Sequence, residues 1–227
     1  MPIDNFDFWY AVKITKVVHS PKQPLETFGT TRCRFYLVSE LLDEVDQCRI
    51  RTGLIISERP VILTPKQFAN QILEGFGEAA RQYVEWLRQH NELIRILRYG
   101  LQIRKEDVHE ENVSGNINEI AERLAKAAAN AEDLTAAIIG SDTHWEVSLL
   151  KFFRDYIEQS APINLQQIRQ REYETNLELM REIETEFRIA EKNPDRIPVL
   201  GKKLQNLNLM EKYEDRFLEL VKKHGSR

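Results

Sequence analysis

The apolar residues of this chain change their repeat once, at about residue 64, and that switch limits the fold more than any other feature. Before it they alternate. From Phe6 to Val18, the residues Phe6, Phe8, Tyr10, Val12 and Ile14 recur with period two against Asp7, Lys13 and Thr15, the pattern of a half-buried strand. Ser20-Pro21-Lys22-Gln23-Pro24 then reads as a loop, because neither proline suits a central strand. From Thr30 to Val38 the alternation resumes, with Thr31, Cys33, Phe35 and Leu37 on one side and Arg32, Arg34, Tyr36 and Val38 on the other. Cys48 to Ile56 has Gly53 between two β-rich arms and reads as a hairpin with Gly53 at positive φ. Residues 1–63 are therefore expected to form an antiparallel meander.

At Thr64-Pro65-Lys66-Gln67 a threonine cap, a proline at the first helical position and a glutamine three residues after the cap announce a helix. Gly75-Phe76-Gly77 interrupts it. A second helix is expected from Glu78 to Tyr99, with Gly100 as its stop. Leu101 and Ile103 suggest a short strand running into the acidic stretch Glu106 to Asn112. Ser114 to Asn118 offers caps for a helix through Ala131, and Leu134 to Gly140 reads as a buried strand. Thr143-His144-Trp145-Glu146 has capping-box spacing and opens a helix to about Gln159, with Pro162 expected to end it. This is an α+β body over residues 1–162, with its antiparallel sheet in 1–63 and helices and short strands in 64–162.

Residues 163–227 read as a mostly helical module. One long helix, Ile163 to Lys192, carries Ile168, Tyr173, Leu177, Met180, Ile183 and Phe187 at spacings of three to five. Asn193 to Pro198 breaks it, and a last amphipathic helix carries Met210, Tyr213, Phe217, Leu220 and Val221 on one face.

Composition narrows the class. The 9 glycines and 8 prolines among 227 residues leave little material for long loops. With 42% apolar and 30% charged residues and a net charge of −4, the chain has the makeup of an ordered soluble protein. The acidic start lacks a basic segment followed by an apolar one, so no secretory signal is expected and the cytoplasm is the expected location. No apolar run approaches the ~18 residues of a membrane span, so a membrane partner is not expected. Cys33 and Cys48 match no metal or redox spacing and are expected as reduced thiols inside the sheet. P-loop, dinucleotide, zincin and nucleophile-elbow motifs are lacking, so no cofactor is expected.

Four constellations remain. Arg32 and Arg34 share one strand face, as do Arg49 and Arg51, and were these faces the same, four guanidinium groups would project together toward phosphates. The competing reading pairs them with nearby glutamates, since residues 1–63 hold equal numbers of acids and bases. Asp107, His109 and Glu111 alternate, and on a strand would offer oxygen, nitrogen and oxygen to a divalent metal; a solvated loop is the alternative. Asp142 and His144 lie where a strand should pass into a helix, a usual place for acid–base chemistry or an anion, although Asp142 would repel the anion and Thr143 with Glu146 would serve as caps. Finally, Tyr173, Leu177, Met180, Ile183 and Phe187 form a narrow stripe suited to a helix seam, with a partner or with the chain's own last helix.

The expectation from the residues is a non-enzymatic interaction or adaptor protein that binds another protein or a second copy through its C-terminal helices. Nucleic-acid or phosphate binding by the arginine-bearing sheet face is the alternative, and an enzyme centred on Asp142 and His144 is the third.

Overall fold

The computed structural model describes residues 6–60, 73–90 and 100–225. The chain divides into two compact units, Met1–Gln167 and Ile168–Arg227. The first is an α+β unit. Its strands are β1 (Lys16–His19), β2 (Thr31–Glu40), β3 (Gln47–Ser57), β4 (Leu73–Glu74), β5 (Leu101–Ile103), β6 (His109–Ser114) and β7 (Thr135–Ile139). They make one mixed sheet in the order β1-β7-β2-β3-β5-β4, with β6 also paired to β3. The β2–β3 hairpin is antiparallel and runs in continuous register from Thr31↔Ser57 to Glu40↔Cys48, whereas β7 lies parallel to β2. Among the helices α1 (Phe6–Ile14), α2 (Glu78–His90), α3 (Ile117–Ala129) and α4 (Trp145–Lys192), the last continues into the second unit.

The sheet buries its two faces unequally. Residues opposite one another in an antiparallel pair point to the same side, so Cys33, Phe35, Leu37, Gly53 and Ile55 share one face. That face forms the main core with Phe8 and Ala11 of α1, Ala80, Tyr83 and Leu87 of α2, and Val147 to Ile157 of α4. On the other face, Val38, Cys48 and Ile50 are covered by Ile120 and Ala121 of α3. The two free cysteines, both buried, therefore stand on opposite faces. Burial lifts the Cys33 thiol to about 12, which keeps it protonated and inert at neutral pH.

Three local expectations are corrected. Phe6 to Ile14 is helical, not a strand. Phe8, Ala11 and Thr15 are buried at spacings of three and four, while Trp9 and Tyr10 are both exposed, so the period-two pattern of aromatics was coincident with a helical one. Trp9 meets Trp86 edge to face at 4.4 Å, joining α1 to α2. Gly53 is not at a turn. It sits inside β3 opposite Phe35, and a Cβ there would stand 2.7 Å from the Phe35 ring, so the missing side chain makes room for the aromatic. The hairpin turn is at 41–46, closed by Leu41 N–H donating to the Gln47 carbonyl at 3.0 Å, with Asp46 at φ 54°.

Nor does Pro162 end a helix, since α4 runs through it for 48 residues in all. The reason lies in the turns on either side, which are pinned to the proline-containing loop. Tyr156 Oη donates to the Gln23 carbonyl at 2.6 Å, Ser160 Oγ accepts from Leu25 N–H at 3.0 Å, and Asn164 Nδ2 donates to the Leu25 carbonyl at 2.7 Å. Residues four apart on one helix face thus hold both sides of the proline in place, offsetting the backbone hydrogen bond that it cannot make. Two further expectations, the helix opening at Thr64 and the later half of the one from Glu78, lie outside the described residues.

The second unit contains the remainder of α4, a 3-10 turn at Pro194–Arg196, α5 (Ile197–Asn206) and α6 (Met210–Gly225). The break at Asn193 is as read from sequence, with its side chain accepting from Asp195 N–H at 3.2 Å. Its core is separate and small: Ile183, Phe187 and Ala190 of α4 against Leu200 and Leu204 of α5 and Leu220 of α6.

Candidate functional site

The strand register separates the four arginines. Arg32 and Arg34 stand opposite Ile56 and Leu54, while Arg49 and Arg51 stand opposite Ser39 and Leu37, so the two pairs occupy opposite faces of the sheet. No four-guanidinium face exists, which corrects the geometric premise of the polyanion reading. Arg34 lies 3.7 Å from Asp133 in an exposed pair. Arg49 and Arg51 point to the core side, where β6 brings Glu110 opposite Arg51 and Asn112 opposite Arg49.

There they form a closed network with Asp142. Arg51, only 4% exposed, donates from Nε to Glu110 at 2.7 Å and from Nη1 to Asp142 at 2.8 Å. Its guanidinium also lies 5.6 Å from the centroid of the Trp145 ring, which stacks on Phe35. Arg49 donates to both Asp142 oxygens at 3.1 and 3.2 Å and to Asn112 at 3.1 Å. Two cations and two anions cancel, and the Asp142 carboxylate is bound from two sides. Its role here is to neutralise arginines on the core face, a use that the sequence did not disclose because β6 had to be placed first.

His144 stands apart from that network. Its Nδ1 is hydrogen-bonded to Thr143 Oγ1 at 2.9 Å, and its N–H donates to Ser141 Oγ at 3.2 Å. Glu146 does not complete a capping box, because its carboxylate pairs with Lys105 and accepts from the Gly77 backbone, tying α4 to the entrance of α2. Asp107 lies in a 3-10 turn and not on the strand that carries His109 and Glu111, so the three do not alternate along one face. No group of three metal-ligating side chains occurs among the described residues. No helix among them is long and apolar enough to cross a membrane.

The stripe on α4 divides into two halves. Ile183 and Phe187 are buried at 0% and 1% exposure by α5 and α6 of the same chain. Tyr173 and Met180 are 64% and 40% exposed, Leu177 is half-buried, and every residue from 169 to 176 is exposed. An α-helix bare on all sides gains nothing from packing and is marginal in water. Ion pairs clamp the buried half. Arg216 caps the Phe187 ring at 4.3 Å and pairs with Glu184, while Arg196 and Lys203 reach Glu186 at 3.1 and 3.5 Å.

The hydrogen bond from Arg216 holds the Glu184 carboxyl below the usual glutamate range, and that from Arg196, with Lys203 nearby, does the same for Glu186. A carboxyl whose folded value is depressed contributes stability above its unfolded value and loses it as pH falls through the folded one. The second unit is therefore expected to weaken as pH falls below about 4. Helical circular dichroism in urea at pH 7 and pH 3 checks this, and replacing both Glu184 and Glu186 by glutamine should reduce the pH dependence.

Comparison with known protein families, characterised proteins and solved structures finds no match.

Proposed function

We propose that the protein acts by association, as a non-enzymatic interaction module whose C-terminal unit pairs with a second copy of the chain through the bare half of α4. The observation that carries this reading is the division of the stripe. The chain covers Ile183 and Phe187 itself and leaves Tyr173 and Met180 exposed and Leu177 half-buried on the same helix.

Charge favours a second copy as the occupant. In an antiparallel pair of identical helices, residues on the same flank meet when their numbers are symmetric about the two-fold axis. An axis between Leu177 and Glu178 sets Glu174 against Arg181 of the other copy, a contact that occurs twice, and brings the Leu177 side chains of the two copies to the centre of the seam. Arg181 has no side-chain partner among the described residues. The seam is about two heptads long, short of the three or four that make a coiled coil stable alone, so a weak, concentration-dependent dimer is expected.

Sedimentation equilibrium over a dilution series tests this. The expected result is a monomer–dimer equilibrium with Kd of about 10–100 µM, abolished by Tyr173→Glu with Met180→Glu. A single monomeric species at about 500 µM would overturn it.

A further inference from the structure

Independently of self-association, we propose that a cleft in the first unit binds a nucleoside monophosphate. The cleft opens at the carboxyl ends of the parallel neighbours β2 and β7 and has a volume of about 850 Å³. Crevices at that end of parallel strands are where such sheets receive ligands, and the volume suits a small molecule.

Its walls differ in chemistry. One wall is α1 and the start of β1, carrying Tyr10, Lys13 and Lys16. Tyr10 and Lys13 are one helical turn apart, so ring and ammonium lie on the same side of α1. Neither lysine has a partner among the described residues, and Tyr10 is 52% exposed. The facing wall is the β2–β3 turn, with Glu40, Asp43 and Glu44. Arg49 also lines the cleft, with its Nη1 held by Asp142 and no partner at its Nη2 among the described residues.

The three chemistries fit one ligand. Lys13 and Lys16 match a phosphate, Arg49 being already neutralised by Asp142. The tyrosine ring offers a stacking surface for a base. Carboxylates accept hydrogen bonds from ribose hydroxyls, as they do in dinucleotide-binding sheets. Glu40, Asp43, Glu44 and Asp142 set four carboxylates against three cations in the lining and limit the charge that the site tolerates, so a monophosphate should bind more tightly than the corresponding triphosphate.

Isothermal titration of the full chain tests this with the four common nucleoside monophosphates, adenosine triphosphate and inorganic phosphate. Saturable binding of at least one monophosphate is expected, weakened about tenfold or more by Lys13→Glu with Lys16→Glu and about fivefold by Tyr10→Ala. These side chains are exposed, so the variants should keep the wild-type circular dichroism spectrum. The proposal is overturned if no monophosphate binds at about 2 mM, if the lysine variant binds equally, or if inorganic phosphate or the triphosphate binds as tightly as the best monophosphate.

Discussion

Asp142→Ala is expected to destabilise the first unit by about 2 kcal/mol, between the cost of breaking a surface pair and that of breaking a fully buried one, because Arg51 is buried while Asp142 is partly exposed. Arg51 is 4% exposed and would keep only Glu110 as a counter-charge, while Arg49 would lose both of its contacts to Asp142. A planar cation left half-paired against Trp145 and Phe35 cannot regain water without opening the sheet face. Asp142→Asn should cost less, since an amide oxygen still accepts one hydrogen bond. Removing both sides, by Arg51→Met together with Asp142→Ala, should be milder than the single aspartate loss. Urea unfolding of the wild type, Asp142→Ala, Arg51→Met and the double variant decides this, and additive losses would refute the coupling.

Phe187→Ala is expected to remove most of the stability of the second unit. That core has only six fully buried apolar side chains, of which Phe187 is the largest. Truncating a buried phenylalanine costs about 3–5 kcal/mol, and a small helical unit has little to spare. Arg216 would also lose the aromatic face beneath it and Tyr213 a ring neighbour at 5.7 Å. The first unit has its own core, so thermal unfolding should show the helical signal of α5 and α6 lost early while the sheet signal persists. A single transition at the wild-type temperature would contradict this.

How far the residues alone announced these features depends on the range of the contacts involved. Period-two alternation identified β2, and the Asn193 break, α3 and α6 followed from local caps and spacing, because those signals lie within a few residues. The same alternation misread α1, where aromatic residues on a short helix happen to fall at even positions. Gly53 was misplaced because its reason is Phe35, a residue on another strand. Pro162 stops a helix by local chemistry and fails to do so here because of hydrogen bonds from residues more than 130 positions away. The arginines were identified as notable, yet their opposite faces and their neutralisation by Asp142 and Glu110 follow only from the register of β2, β3 and β6. The cleft could not be seen at all, since its walls come from five separate parts of the chain.

The uncovered half of the α4 stripe is the centre of the functional account, and a charge swap tests it most directly. Sedimentation equilibrium of Glu174→Arg, Arg181→Glu and the double variant places like charges, then restored opposite charges, across the two-fold axis. The account predicts weakened dimers for each single variant and recovery to the wild-type Kd for the double one. Equal association by all four proteins, or a double variant no better than either single one, would contradict pairing of α4 with a second copy.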